Sequence, residues 1–149
     1  MAILVVVDDD EDIEGIEETI TVAADLAEKY GEELIALNVV SQDEFLKEQQ
    51  GKTSIADVKP EPIERYESEA ADRAREIVGQ IIDASTDVTY MGRVADPANG
   101  IVKTGRDVDA RFIVIGARRQ SPIGKAIFGS TTQSVLLSAD RPVLTVMEE

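Results

Sequence analysis

An α/β domain, with a five-stranded parallel sheet and helices on both faces, is the fold class the sequence predicts. Three observations predict it. Short apolar runs rich in β-branched residues alternate with longer segments whose apolar residues recur at helical spacing. The runs are apolar at consecutive positions, as strands covered on both faces must be. The order strand, helix, strand repeats along the chain, which builds right-handed crossovers between parallel strands. The 149 residues fit one domain, 1–149.

Ile3 to Val7 is the first strand. Asp9 or Asp10 can cap the helix after it, on which Ile13, Ile16, Ile20, Ala23 and Ala27 share a stripe. Gly31 suits the C′ position that ends this helix. Leu34 to Val40 is the second strand. Residues 41–60 are the least regular stretch, with a short helix expected around Asp43 to Gln50. Ile63, Tyr66, Ala70, Ala74, Ile77 and Ile81 mark the next helical stripe. Pro62 suits its first turn, and Glu61–Arg65 and Glu69–Arg73 are supporting i,i+4 pairs.

Asp87 to Met91 is expected as the third strand, stopped by Gly92. Asp96-Pro97 reads as a cap followed by a first-turn proline, with Ile101 and Val102 facing inward until Gly105. Arg111 to Ile115 is the fourth strand, and a loop runs from Gly116 to Phe128. Gly129 and Ser130 open a last helix whose apolar residues include Val135, Leu136 and Leu137. Pro142 introduces the fifth strand, Val143 to Met147, which has the look of a sheet edge.

Composition excludes several function classes. The chain has no Cys and no His, which removes Ser-His and Cys-His catalysis, thiol redox chemistry and Cys/His zinc sites. A metal site built from oxygen ligands stays open. With 30 acidic against 15 basic residues the net charge is −15. Such a surface repels nucleic acid and anionic membranes, and six aromatics without Trp offer little for base stacking. High acid with 9 Arg but only 6 Lys is similar to the proteins of salt-accumulating, halophilic microbes. No run is long enough to span a membrane. Met1 to Val7 leads into Asp8, Asp9 and Asp10 without a basic segment or cleavage site, so a cytoplasmic protein is expected.

Ligands of parallel sheets bind at the carboxyl ends of the strands, near the switch point. That singles out Asp8, Val39, Val40, Gly92 and Gly116. The acidic run ILVVVDDDED resembles the metal-holding acids of a response-regulator receiver. A receiver also needs an Asp after its third strand and a Lys after its fifth. Asp57 falls in the irregular stretch 41–60, and no Lys follows VLTVM. Asp9, Asp10, Glu11 and Asp12 therefore read as a cap and solvated acid, whereas Asp8 sits directly at a strand end.

The segment GARRQSPIGKAIFGSTTQSVL suits a phosphate. Gly116 allows close backbone approach. Gly129, Ser130 and Thr131 place free N–H groups and hydroxyls at a helix start. Arg118, Arg119 and Lys125 bring three cations into residues 116–131, which contain no acid. It is not a Walker A loop, because Ala126 follows Lys125 and no Gly precedes Gly124 by five residues.

Here the chain resembles the universal stress protein family. That family's nucleotide motif is Gly, two residues, Gly, nine residues, then Gly-Ser or Gly-Thr. Gly116 matches the first place, Arg119 stands in the middle one, and Gln120 to Phe128 separate it from Gly129-Ser130. ILVVVD, LIALNVV, DPANGIV, FIVIGA and RPVLTV extend the likeness over nearly the whole chain. The resemblance implies an adenine nucleotide alpha hydrolase-like, Rossmann-like three-layer fold, and a homodimer pairing its last strands, Val143 to Met147. It implies an ATP-binding stress-response or signalling protein without strong catalysis, taking ATP alone or with Mg²⁺. Another branch of the family is a dimeric interaction module that binds no nucleotide. In the ATP-binding branch Asp8 hydrogen-bonds in the site and Val39 contacts adenine. Ile115, Gly116, Ala117, Arg118, Arg119, Gln120 and Ser121 wrap ribose and phosphates, with Lys125 as a further cation of that loop. Gly129, Ser130 and Thr131 hold phosphate. Arg at position 119 would be strained if the middle glycine needs positive φ; if only closeness matters, its side chain can swing out or grip a phosphate. With no His, no Cys and no assignable base, hydrolysis is expected to be slow or absent.

Overall fold

A computed structural model describes residues 1–8, 13–53, 62–118 and 129–148. Its elements are β1 (Ala2–Val6), α1 (Ile13–Tyr30), β2 (Glu33–Ser41), α2 (Gln42–Thr53) and α3 (Ile63–Gly79). They continue with β3 (Val88–Ala95), α4 (Pro97–Asp107), β4 (Ala110–Arg118), α5 (Ser130–Ser138) and β5 (Val143–Glu148). The strands form one parallel five-stranded sheet in the order β3-β2-β1-β4-β5.

Strand β1 is central because its side chains are apolar on both faces. Leu4 pairs with Ile35 on one side and Ile113 on the other. Successive strand residues point to opposite faces, so the strands feed two cores. Ile3, Val5, Leu34 and Ala36 pack with Ile16 and Ile20 of α1 and Ala74 and Val78 of α3. Leu4, Ile35, Leu37, Ile113 and Ile115 pack with Ala98 and Ile101 of α4 and Val135 of α5. Each of the Val, Leu and Ile side chains among them contributes about 1.5–3 kcal/mol on burial.

The helix ends follow local chemistry. Gly31 has φ +62°, Gly31 N–H donates to the Glu28 carbonyl at 3.2 Å, and Glu32 N–H donates to Ala27 at 2.9 Å. This is the paired closure that a left-handed C′ glycine permits. Asp96 caps α4 through the Asn99 N–H at 3.2 Å, with Pro97 in the first turn. The predicted cap at Asp9 or Asp10 lies outside the described residues.

Several sequence expectations are corrected. Strand β3 does not stop at Gly92; it runs on to Ala95, with Gly92 opposite Asn38. Gly92 lies beneath α3. A Cβ there would fall 1.9 Å from the Glu67 carbonyl oxygen and 2.7 Å from the Ala71 nitrogen. Gly105 does not end α4 either: it is buried, and a Cβ would meet Ile113 Cδ1 at 2.9 Å. Both glycines serve close helix–sheet packing instead of termination. Strand β4 extends past Ile115 to Arg118, so Gly116 pairs with Val146 within the sheet. Leu136 and Leu137 do not face the core, Leu137 being 89% exposed, because Val135 takes the inward position of a short helix. Ile63 is exposed, Ile81 lies beyond α3, and Val78 completes the buried stripe.

Ion pairs gather at the amino ends of the strands. Arg111, stacked on the Tyr30 ring at 4.6 Å, donates to Glu32 at 2.7 Å. Arg106 donates to Asp140 at 2.7 Å, and Arg141 donates to Asp109, which turns the chain into β4 at φ +53°. Hydrogen bonds from these guanidinium groups hold the Glu32, Asp109 and Asp140 carboxyls below their ordinary values.

Two expectations follow from this packing. Gly92→Ala should lower stability by about 3 kcal/mol, since backbone atoms block the methyl group. Gly105→Ala should cost less, about 1 kcal/mol, because the obstructing atom is the tip of a side chain. Chemical denaturation of both variants measures the order, and equal losses would contradict it. The lowered carboxylate values carry a sign. Their stabilisation is complete above the unfolded value of about 4 and is lost as pH falls through the lower folded value. The unfolding midpoint should therefore drop on acidification only below about pH 4. An Asp109→Asn, Asp140→Asn double variant should show a shallower acid limb, and an unchanged limb would refute the assignment.

Candidate functional site

At the carboxyl ends of β1 and β2 the chain leaves a cleft of about 300 Å³. Strand β1 supplies Val6 to its lining, and Val7 and Asp8 follow it. Strand β2 supplies Asn38, Val39, Val40 and Ser41. Glu44 comes from α2, Arg73 from α3, Pro97 and Ile101 from α4, and Thr131 from the first turn of α5. The strand order turns here: from β1 the chain winds outward through β2 to β3, and β4 and β5 lie on the other side. Helices leaving in opposite directions leave the gap between them open.

The floor is tied to both helix layers. Asn38 is 2% exposed, and its side-chain amide donates to the Ala70 carbonyl of α3 at 3.2 Å. This bond satisfies a polar group that would otherwise be costly to bury. Val39, on the other face, packs toward α4, where a Cβ at Gly100 would lie 3.3 Å from Val39 Cγ1. Thr132 Oγ1 lies 3.5 Å from the Gly116 carbonyl oxygen, which holds the start of α5 beside the end of β4. Gly129 is the residue before α5, in an extended conformation and with no side-chain cap. The first-turn N–H groups of α5 lack intrahelical acceptors, as in any helix.

The sequence-predicted residues divide accordingly. Asp8, Val39 and Thr131 come together on the cleft wall. Gly129 and Ser130 are exposed at the start of α5, next to Thr131. Ile115 and Ala117 are buried within β4, at 5% and 4% exposure, with half-buried Gly116 between them. Arg118 ends β4 opposite Glu148. Arg119, Gln120, Ser121 and Lys125 lie outside the described residues. Gly92, mid-strand beneath α3, is not among the lining residues.

Sequence reasoning missed Arg73, Glu44, Asn38 and Pro97 as lining residues. Arg73 read as the i,i+4 partner of Glu69. Its neighbour Ala74 was the clue, because the residue beside a buried stripe lies at the rim of whatever the helix covers. A second hollow of about 590 Å³ opens at the amino ends of the strands, lined partly by Asp25, Glu28, Glu32 and Asp87. It is larger, yet its carboxylates make it hostile to anions. Among the described residues no group of three or more acidic side chains is arranged to hold a metal ion, and no helix is long and apolar enough to cross a membrane.

A parallel five-stranded sheet with helices on both faces and a cleft at its switch point defines the class: an α/β domain of the adenine nucleotide alpha hydrolase-like kind. The chain belongs to the universal stress protein family, whose model matches residues 1–147. Stress response protein NhaX of Bacillus subtilis (strain 168) is similar at 31% identity over 105 residues, 64% of this chain and 61% of NhaX. The chain thus spans about three fifths of that relative's length. Among solved structures, a universal stress protein from Archaeoglobus fulgidus is similar at 26% identity with TM-score 0.63, covering 98% of both chains. The universal stress protein from Archaeoglobus fulgidus in complex with dAMP shares the fold at 22% identity and TM-score 0.58, covering 98% of this chain and 97% of that one. A universal stress protein in complex with cAMP shares it at 20% identity and TM-score 0.54, covering 99% and 98%.

Proposed function

We propose that this chain binds an adenine nucleotide in the carboxyl-end cleft and acts as a nucleotide-sensing stress-response protein, not as an enzyme. One observation carries the reading: Asp8, Val39 and Thr131, far apart in sequence, line one cleft. The base lies against the apolar wall of Val39, Pro97 and Ile101. The phosphates reach the start of α5, where Gly129, Ser130 and Thr131 offer N–H groups and hydroxyls. Arg118, Arg119 and Lys125 add positive charge to the segment that joins β4 to α5. The dAMP and cAMP held by two proteins of the same fold support the ligand class. ATP, alone or with Mg²⁺, is the member of that class proposed here.

The absence of His and Cys argues against rapid hydrolysis, since it removes the side chain that most often serves as general base. A signalling role then rests on a difference in partner binding between nucleotide-bound and free protein. The sheet ends at β5, whose outer edge faces no strand among the described residues. Such an edge invites pairing, and we infer that two copies join through Val143 to Met147. A monomeric mass by light scattering would overturn the dimer.

Equilibrium binding of labelled ATP in molar KCl tests the nucleotide reading, which expects saturable binding and is overturned if the protein takes up none. Gly129→Val supplies the control. A Cβ at Gly129 meets no atom within 4 Å, so the variant should keep its unfolding midpoint. The added side chain fills the space in front of the helix start, and ATP binding should be lost.

A further inference from the structure

Among the polar side chains that line the cleft, that of Asn38 is the buried one, at 2% exposure. Its orientation is fixed from outside the cleft. Gly92 pairs with Asn38 and lets α3 rest on β3, which brings the Ala70 carbonyl to 3.2 Å from Asn38 Nδ2. A carbonyl only accepts, so the nitrogen is the end of the amide turned to Ala70, and Oδ1 is the end left over. Oδ1 has no hydrogen-bond partner among the described residues, and it is not one of the polar atoms sealed from solvent. The small exposed part of Asn38 therefore includes this oxygen, and the space that Asn38 lines is the cleft. A nearly buried acceptor left open in this way is costly until a donor meets it.

The chemistry of a nucleotide decides which of its groups can meet that oxygen. Near pH 8 its phosphate oxygens carry no proton and only accept. Its donors are the exocyclic amine of adenine and the ribose hydroxyls. The direction of the side chain agrees with this division. Asn38 turns its amide to α3, whereas α5, the helix proposed to hold the phosphates, packs on the other face of the sheet. We propose that Asn38 is a specificity-determining residue: its Oδ1 accepts a hydrogen bond from the nucleoside part of the ligand, either the amine or a ribose hydroxyl. The proposal rests on the nucleotide reading of this cleft.

Titration calorimetry near pH 8 with ATP, ITP, 2′-deoxy-ATP and 3′-deoxy-ATP tests it, on the wild type, Asn38→Leu and Asn38→Thr, with thermal unfolding of each. ITP replaces the amine by a carbonyl, and each deoxy analogue lacks one hydroxyl. The wild type should bind one of the three analogues about tenfold more weakly than ATP, as loss of a donor to a buried acceptor does. In Asn38→Leu, ATP should weaken to the level of that analogue, and the preference should vanish. The analogue that loses affinity identifies the donor. If Asn38→Leu does not fold, Asn38→Thr gives the same comparison, because its hydroxyl stops one bond short of Oδ1 and strands accept Thr readily. Equal affinity of the wild type for all four ligands would overturn the proposal and leave the nucleotide reading intact. So would a preference that persists in the variant, which is what a purely structural role for Asn38 gives. A wild type that binds none of the four would overturn the nucleotide reading, and this inference with it.

Discussion

Helix α3 lies so close to β3 that a methyl group at residue 92 would sit 1.9 Å from the Glu67 carbonyl oxygen. That approach organises one side of the molecule. It lets Ala70, Ala74 and Val78 bury completely against the sheet. It brings the Ala70 carbonyl within reach of Asn38, so a polar residue can occupy the middle of β2. The Glu67 carboxylate also accepts the Val94 N–H at 3.1 Å, which occupies a donor of edge strand β3. The outer edge of β5 has no strand beside it among the described residues. The two ends of the sheet are therefore unequal, and the difference begins with a residue that has no side chain.

The strands also separate the ion pairs from the cleft along their length. Arg106, Arg111 and Arg141 pair with carboxylates where the strands begin. The cleft lies where they end. In a chain with net charge −15, cations are scarce, and this arrangement uses three of them to tie loops at the amino end. Exposed pairs of this kind stabilise weakly one by one. Arg111 is the better placed, because its guanidinium lies over Tyr30 while its N–H groups hold Glu32. At the carboxyl end Arg73 lines the cleft together with Asp8 and Glu44.

Most of the fold was legible in the sequence. The apolar runs located every strand, and Gly31 and Asp96-Pro97 marked helix ends that the structure reproduces. The errors cluster at glycines. Gly92 and Gly105 were read as stops because glycine is most often a local signal, whereas here it answers a tertiary demand for space. Apolarity alone also does not say which face of a nine-residue helix turns inward: Val135 is buried and Leu137 is exposed. Of the residues that line the cleft, Asp8, Val39 and Thr131 were legible because strand ends and helix starts have recognisable chemistry. Arg73, Glu44 and Asn38 were not, because each lies within or beside an element whose sequence looks structural.

By itself the sequence determined the class of fold, the sheet-end location of the cleft and the absence of thiol and imidazole chemistry. These depend on hydrophobic period and residue type, which are local properties. Only the tertiary structure decided which helix face meets which strand, that β3 and β4 continue past their glycines, and that α2 and α3 contribute side chains to the cleft. Those outcomes depend on distances between segments remote in the chain. A distance such as that from Gly92 to Glu67 exists only once the helix has docked on the sheet.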